Sequence, residues 1–329
     1  MKRAECYAPG AFPALLDRGK GPYVWDVDGN AYIDFIAGLG ACSLGHAPSI
    51  LQAAVNGQLS KGVLTSLPTS IEVEAAETVV GMFDHCDQVR FFKTGADACS
   101  AAVRLSRART GRMAVASCGY HGWHDLFMQG TVGAPVDPNL RTFDPFVEEG
   151  EQALESILSD GQVACAIIAL PYEKTISKER LHAIARVVEQ AGALLVMDEI
   201  VTGFRLSVGG ATEYFGIKPD LICLGKGLAA GMPLSALVGP QEIMAPLAQL
   251  HISTTYGGDM LSLAVANAVV QHYRTTDAIA RIHTLGRRFA DGANQLAVDA
   301  GPAPIVHCYA PMPCFPFYAA LPIHAARAP

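Results

Sequence analysis

The chain has 329 residues, of which 50% are hydrophobic and 17% charged, and its formal net charge is −7. This length allows one large domain and a smaller one, and the composition is typical of a globular enzyme rather than a disordered chain. The acidic balance without a Lys/Arg cluster gives no reason to expect nucleic acid or a membrane surface as partner, and the apolar runs are too short to span a bilayer.

The first residues and the cysteines indicate the compartment. The chain begins Met-Lys-Arg-Ala-Glu-Cys, without the apolar stretch of a signal peptide, so we expect a cytoplasmic protein. Its nine cysteines are scattered singly, with no Cys-x-x-Cys spacing. That pattern predicts reduced, mostly packed thiols rather than disulfides or a zinc site.

The first predicted element is a β-hairpin. Residues 23–35 form two alternating runs around Asp28-Gly29, one of the strongest short hairpin signals. The glycine-rich stretch 38–46 follows, but it lacks the Gly-x-Gly-x-x-Gly of a dinucleotide site. Ser43 and His46 either contact a substrate there or only shape the loop and cap the next helix.

Two amphipathic helices are predicted over 48–62 and 70–83, and a short strand over Val89–Phe92. The strand leads through Thr94–Asp97 into a helix that stops near Gly111. The first amides of a helix have no internal partner and carry partial positive charge, so this turn is a possible phosphate site. Taken alone, the turn is better explained as a plain N-cap with an acidic first turn.

Residues 118–125, Cys-Gly-Tyr-His-Gly-Trp-His-Asp, contain two histidines three positions apart. Two such histidines without a third ligand are a weak signal, so no metal site is predicted from His121 and His124. The following stretch, 131–150, is rich in Pro and Asp and is predicted to be a long surface loop.

The second half of the chain has the strand, helix, strand pattern of a parallel sheet. A buried strand over Val163–Leu170 is followed by a helix over 178–190 and a second apolar run at Leu194–Met197. Another apolar run, Leu221–Leu224, follows. Connections of this kind are right-handed and bring the strands side by side in one sheet.

A charged residue comes soon after each of the last two runs. Asp198 and Lys226 should both emerge at the carboxyl edge of the sheet, where open α/β folds place their ligands. Pyridoxal phosphate needs a lysine for a Schiff base and a carboxylate to keep its ring nitrogen protonated, and these two residues meet both needs. A phosphate-loop ATPase would need glycine at position 220, where Asp220 stands, and Ser or Thr where Gly227 stands.

Around these residues the chain resembles class III aminotransferases, most closely the glutamate-1-semialdehyde aminomutase-like branch. The resemblance rests on Asp-Glu-Ile-Val-Thr-Gly-Phe-Arg, then Lys-Pro-Asp-Leu, then Leu-Gly-Lys-Gly-Leu-Ala-Ala-Gly-Met-Pro-Leu, within residues 198–234. It implies an α/β fold, the fold type I PLP-dependent transferase, with a mainly parallel sheet flanked by helices and a small domain from the N- and C-terminal segments. It also implies that Asp198 binds the pyridine nitrogen and that Lys226 forms the Schiff base.

The resemblance implies further cofactor contacts. The turn Thr94, Gly95, Ala96 matches the family's phosphate-binding turn, and Tyr120 matches the aromatic residue that stacks on the cofactor ring. His121 and Ile200, within the matching motifs, are included in the cofactor-binding set. Thr255 matches a threonine that reaches the partner subunit's cofactor phosphate, so a homodimer with a shared active site is expected. Lys93 replaces the family's asparagine. It either adds a positive charge near the phosphate or points to solvent, and the second is the expectation.

Two stretches depart from the family. Leu170-Pro171 stands where the family commonly has Glu-Pro, which leaves the substrate class open. A basic helix is expected over 278–300, and residues 301–329, with seven prolines and no acidic residue, should be irregular. Truncation or a shifted reading frame would account for this tail, and a native minimal variant of the family is the alternative. The expected domains are an N-terminal segment (1–48), a large cofactor-binding domain (49–283) and a short C-terminal segment (284–329).

The sequence therefore predicts a pyridoxal-phosphate enzyme that transfers an amino group from an amine or amino acid donor to a carbonyl acceptor. Lys226 would also act as general base and acid toward the substrate carbon. An aminomutase or racemase needs the same lysine and aspartate and is the first alternative. The second alternative is a truncated cofactor-binding protein without turnover.

Overall fold

The computed structural model of the protein describes residues 15–171, 174–301, 304, 306 and 309–314. Its N-terminal part is a three-stranded antiparallel sheet in the order β1 (Leu16–Lys20), β2 (Tyr23–Asp26) and β3 (Ala31–Ile33). The predicted hairpin, formed by β2 and β3, is confirmed. Strand β1 is absent from the sequence prediction because Leu-Asp-Arg-Gly-Lys has no apolar alternation.

The main sheet has seven strands in the order β4, β10, β9, β8, β7, β5, β6. The central pairings, from β9 through β6, are parallel, and β10 is antiparallel to both of its neighbours. The expected mainly parallel α/β sheet is thereby confirmed. The strands are β4 (Gln88–Phe92), β5 (Ala114–Cys118), β6 (Leu140–Thr142), β7 (Val163–Ala169), β8 (Leu194–Asp198), β9 (Leu221–Leu224) and β10 (Ser235–Gly239).

Helices cover both faces of this sheet. They are α1 (Ser49–Leu59), α2 (Ser70–Val80), α3 (Gly95–Thr110), α4 (Gly150–Leu158), α5 (Lys178–Gln190), α6 (Gly210–Phe215), α7 (Gln241–Met244), α8 (Met260–Thr275) and α9 (Ala278–Asp299). Alternate residues of β8 point to opposite faces. Val196 packs toward α3, whereas Leu195 and Met197 pack in the core on the α4 and α5 side. Burial on both faces explains why these strands read as uninterrupted apolar runs.

Several expectations about the elements differ from the structure. Helices α1 and α2 end at Leu59 and Val80, each three residues before the predicted end, and strands β5 and β10 were not predicted. The predicted surface loop 131–150 contains β6, a short edge strand whose charged centre, Arg141, hides any apolar pattern. Pro48 is the N-cap of α1 and no side chain caps that helix, so the capping role considered for Ser43 and His46 is wrong. Helix α9 ends at Asp299, one residue before the expected end.

The tail begins by packing against the main core. Tyr309 and Met312 are buried in the hydrophobic cluster that includes residues of β7 and α5. The Tyr309 hydroxyl accepts a hydrogen bond from the Ile176 amide at 3.0 Å. Residues 304, 306 and 309–314 contain no helix or strand, as expected of this segment, and residues 315–329 lie outside the described part of the chain.

Within the described part of the chain, no helix is both long and apolar enough to cross a membrane.

Candidate active site

The candidate lysine and aspartate follow two neighbouring strands. Asp198 is the last residue of β8, and Lys226 comes two positions after β9 ends at Leu224. Because β8 and β9 are parallel and hydrogen-bonded to each other, both residues lie at the carboxyl edge of the sheet. This is the placement that the sequence predicted, and it is where ligands of open α/β sheets bind.

The carboxylate of Asp198 is buried and held by three donors. Its Oδ1 accepts from the backbone amide of Ile200 at 3.0 Å. Its Oδ2 accepts from His121 Nδ1 at 2.8 Å and from the Cys99 thiol at 3.3 Å. A buried carboxylate needs such partners because it has lost its hydration. The side chain is therefore fixed in one orientation.

His121 lies under the sheet edge, in the loop after β5, and its side chain is fully buried. Burial lowers its pKa, but the hydrogen bond to Asp198 and the charge of that carboxylate outweigh this and raise the pKa to about 9. Its Nε2 is buried without a hydrogen-bond partner among the described residues. The imidazole is thus positively charged at neutral pH and paired with Asp198.

The two histidines of the sequence motif do not share a site. His124 Nδ1 is hydrogen-bonded to the Ser100 hydroxyl at 2.8 Å, on the exposed side of α3. A different trio, Cys99, His121 and Asp198, has side-chain ligand atoms within 4.8 Å of one another, close enough for a metal ion. In this trio the His121 N–H and the Cys99 S–H both donate to Oδ2 of Asp198. The three side chains therefore form a hydrogen-bonded network.

Lys226 begins a short 3-10 turn, Lys226–Ala229, and has a left-handed backbone with φ 43°. Burial, and next the positive charge of Arg205, lower the pKa of its amine. A Cβ added to Gly40 would lie 3.0 Å from Arg205 Nη2 and 3.7 Å from Lys226 Cδ, so these three residues meet. A lysine with a lowered pKa has a larger neutral fraction, which is the nucleophilic form.

The predicted phosphate-binding turn is the N-terminus of α3. The Thr94 hydroxyl accepts from the Asp97 amide at 3.3 Å, and the Asp97 carboxylate accepts from the Thr94 amide at 2.9 Å, which forms a capping box. The Thr94 carbonyl accepts from the Ser235 hydroxyl at 2.6 Å. The plain N-cap interpretation of Thr94 is therefore correct, and it coexists with a helix N-terminus suited to an anion.

Gly95, Ala96 and Ile200 form a close-packed patch between this turn and Asp198. A Cβ on Gly95 would lie 3.0 Å from Ile200 Cδ1, and one on Gly122 would lie 2.4 Å from the Cβ of Ala96. The backbone at α3 can approach its neighbours only because these positions are glycine. Tyr120, which precedes His121, keeps 70% of its surface exposed.

The expectation that Lys93 points to solvent is wrong. Its Nζ lies 2.9 Å from Asp259 Oδ2 and donates to the Pro233 carbonyl at 3.0 Å, and its side chain is only 15% exposed. The pair ties the end of β4 to the N-cap of α8, which is Asp259. Thr255 is exposed in the turn that leads to α8.

Ser43 and His46 are held by protein partners. The Ser43 hydroxyl is 2.6 Å from the Tyr273 hydroxyl, and His46 Nε2 is 2.7 Å from Asp34 Oδ2. The backbone of His46 also pairs with Gly21. These contacts support the interpretation that both residues shape the loop.

Glu199 is a structural residue that the sequence analysis missed. It is completely buried, and its carboxylate accepts from the amides of Ala211 and Thr212 at 2.8 and 2.6 Å and from the hydroxyls of Thr202 and Thr212. Burial raises its pKa, and these hydrogen bonds oppose the shift. A glutamate three positions before a threonine, directly after a buried strand, was the available signal.

Arg205 was also missed as a neighbour of the lysine. Its side chain is buried, and its guanidinium donates to the carbonyls of Val201, at 2.9 Å, and Gly40. These contacts tie the loop after β8 to the glycine-rich loop before α1. Its position follows from the packing of two segments 165 residues apart, which no local pattern reveals.

The donors around Asp198 fit pyridoxal phosphate. A carboxylate offers about four lone-pair positions, and three are occupied by Ile200, His121 and Cys99. One position on Oδ1 is left, which suits one N–H donor such as a protonated pyridine nitrogen. A neighbouring strand end supplies the amine, and the N-terminus of α3 is suited to a phosphate.

Comparisons with known proteins point the same way. The sequence model of the family described as aminotransferase class-III matches residues 6–179 and 173–302. Glutamate-1-semialdehyde 2,1-aminomutase of Aquifex aeolicus is 34% identical over 319 residues, which cover 89% of this chain and 74% of that protein. The 2'-deamino-2'-hydroxyneamine transaminase of Streptomyces kanamyceticus is 33% identical over 297 residues, covering 89% of this chain and 75% of the relative.

A solved structure of a transaminase with PLP bound has the same fold. It superposes with a TM-score of 0.83 and 27% sequence identity, and the match covers 93% of this chain and 78% of that one.

Proposed function

Because this chain belongs to the class III aminotransferase family and takes pyridoxal phosphate as its cofactor, we propose that Lys226 carries the cofactor and that Asp198 binds its ring nitrogen. The observation that carries this proposal is the placement of a half-buried lysine of lowered pKa and a fixed, buried aspartate at one sheet edge. We further propose that the N-terminal turn of α3 binds the phosphate. The proposed set of cofactor-binding residues is Lys226, Asp198, Ile200, Thr94, Gly95, Ala96, Tyr120, His121 and Thr255.

The reaction is transfer of an amino group, and side chains of the protein accept and donate the protons that it requires. Pyridoxal phosphate, when bound, draws electrons from the substrate carbon that carries the amino group. Burial and the nearby Arg205 favour the neutral amine of Lys226, which can accept a proton from that carbon and return it elsewhere. His121 donates a hydrogen bond to Oδ2 of Asp198, and Oδ1 of this carboxylate can accept a hydrogen bond from the protonated ring nitrogen.

The substrates are proposed as an amine or amino acid donor and a carbonyl acceptor. An aminomutase rearranges one substrate and needs no separate acceptor, and the 34% identity to an aminomutase favours this as the second candidate. A cytoplasmic location, predicted from the sequence, stays a prediction.

The test is the visible absorbance of the protein purified with pyridoxal phosphate. We expect a cofactor band in the wild type and in a Lys218→Ala control, whose lysine is exposed, and no such band in Lys226→Ala. A panel of amino donors should bleach the band, and a keto acid should restore it. Turnover of a single amino-carbonyl substrate without an acceptor would instead identify an aminomutase. A band that no amine changes would leave cofactor binding without turnover.

We also propose a homodimer in which Thr255 contacts the partner's cofactor phosphate. Thr255 and Tyr256 are exposed, and the segment 59–67, whose Val63 carbonyl accepts a hydrogen bond from the Met260 amide at the start of α8, exposes Leu59 and Leu67 at 54% and 78% of their surfaces. Mixing Lys226→Ala with Thr255→Ala subunits tests the sharing. A hybrid dimer has one intact site, so mixing should restore tight cofactor binding to some sites. No recovery in hybrids whose formation is verified would place Thr255 in its own subunit's site.

A further inference from the structure

A cysteine in the helix above the sheet contacts the proposed ring-binding aspartate. Cys99 lies in the second turn of α3 and none of its surface is exposed. Its thiol donates to Asp198 Oδ2 across 3.3 Å. A buried cysteine usually serves as a small apolar side chain, so a thiol directed at a buried carboxylate needs another explanation.

The thiol is one of three donors that reach Asp198 from different parts of the chain. His121 comes from the loop after β5, and the Ile200 amide comes from the loop after β8. The imidazole and the thiol share Oδ2, whereas Oδ1 accepts, among the described residues, from the Ile200 amide alone. This division leaves the free acceptor position on Oδ1 and prevents rotation of the carboxylate.

The surroundings keep the thiol in its donor form. Cys223 pairs with Asp198 across the β8–β9 ladder and lies in the same core cluster as Cys99. The proximity of Cys223, burial and the charge of Asp198 together hold the pKa of Cys99 well above its ordinary value. A thiol that stays protonated can donate a hydrogen bond, but it is a poor nucleophile.

We propose that Cys99 is a positioning residue for the cofactor: its S–H···Oδ2 hydrogen bond fixes the Asp198 carboxylate so that Oδ1 is presented to the ring nitrogen. The proposal rests on the role assigned above to Asp198. Cys99 itself touches neither cofactor nor substrate. Its contribution is orientation, and it shares the Oδ2 acceptor with His121.

Three variants separate the hydrogen bond from packing. Cys99→Val fills the space but donates nothing, whereas Cys99→Ser keeps a donor. Cys165→Val is the matched control, because Cys165 is equally buried in the core cluster around α3 and makes no hydrogen bond to Asp198. If Cys99→Val does not fold, Cys99→Ala replaces it.

Two measurements on the holoenzyme test the proposal. The first is the dissociation constant of pyridoxal phosphate, obtained by dialysis against known concentrations of the cofactor. The second is the downfield proton NMR resonance of His121 Nδ1–H, assigned by its loss in His121→Gln. In Cys99→Val we expect cofactor binding to weaken roughly three- to ten-fold, the range for a modest hydrogen bond to a charged group. The His121 resonance should move further downfield, because the imidazole no longer shares its acceptor.

Cys99→Ser and Cys165→Val should match the wild type in both measurements. The proposal is overturned if Cys99→Val binds cofactor as tightly as the wild type. It is also overturned if serine weakens binding as much as valine while the His121 resonance stays in place, since that result indicates packing alone. An Asp198→Ala variant that binds cofactor like the wild type would overturn the role of Asp198, and this inference with it.

Discussion

The imidazole of His121 donates from Nδ1 to Oδ2 of Asp198 across 2.8 Å, and the two side chains are 0% and 3% exposed. This buried ion pair makes the stability of the fold depend on pH. The pKa of His121 is about 9 in the folded protein, against about 6.5 for an unperturbed histidine. A group with a raised pKa stabilises the fold below its unfolded pKa, and this contribution is lost as pH rises through the folded value.

We therefore expect the free energy of unfolding of the cofactor-free protein to fall between pH 6.5 and 9, by on the order of 3 kcal/mol. Urea unfolding at several pH values measures this. In His121→Gln the decline should be much smaller, because the titrating group is gone. An equally steep decline in that variant would assign the pH dependence to other groups.

Replacing Glu199 should destabilise the fold without changing any proposed cofactor contact. Its carboxylate accepts four hydrogen bonds and has no exposed surface. Glu199→Gln turns one acceptor into a donor that faces other donors, which should cost about 3 kcal/mol of unfolding free energy. Glu213→Gln is the control, since Glu213 is exposed and accepts a single backbone hydrogen bond from Gly209. Chemical unfolding of both variants should separate them clearly.

The close approach at Gly122 predicts a large effect of one methyl group. Gly122 has φ +103°, and an added Cβ would lie 2.4 Å from the Cβ of Ala96. Gly301 also has φ +103°, but no atom of the described residues outside its chain neighbours lies within 4 Å of its added Cβ. Gly122→Ala should thus lose about 1–3 kcal/mol more unfolding free energy than Gly301→Ala. Equal losses of unfolding free energy in the two variants would show that the positive φ, and not the contact with Ala96, determines the effect of the added methyl group.

Removal of the Arg205 charge should make Lys226 more basic. Arg205 is the second cause, after burial, of the lowered pKa of that amine. In Arg205→Gln the pH profile of cofactor incorporation into the cofactor-free protein should move to higher pH, with slower incorporation at neutral pH. Arg281→Gln, at an exposed position of α9, should leave the profile unchanged. A profile that does not move in Arg205→Gln would contradict the electrostatic role.

The sequence by itself determined four of the seven strands of the main sheet (β4, β7, β8 and β9), the carboxyl edge of that sheet and the two charged residues there. Leu194–Met197 and Leu221–Leu224 are apolar without interruption because β8 and β9 are covered on both faces. A local pattern of this kind is readable because each residue's burial follows from its place in its own strand. The same reasoning located Asp198, Lys226 and the turn that opens α3.

Only the tertiary structure decided how these residues are held. Cys99, His121 and Asp198 are joined by hydrogen bonds between segments 77 and 99 residues apart. Lys93 reaches Asp259 across 166 residues, where a local reading predicted solvent. Such pairs depend on how α3 and α8 pack against the sheet. The residues next to a side chain in the sequence do not determine that packing, so these contacts could not be predicted from the sequence.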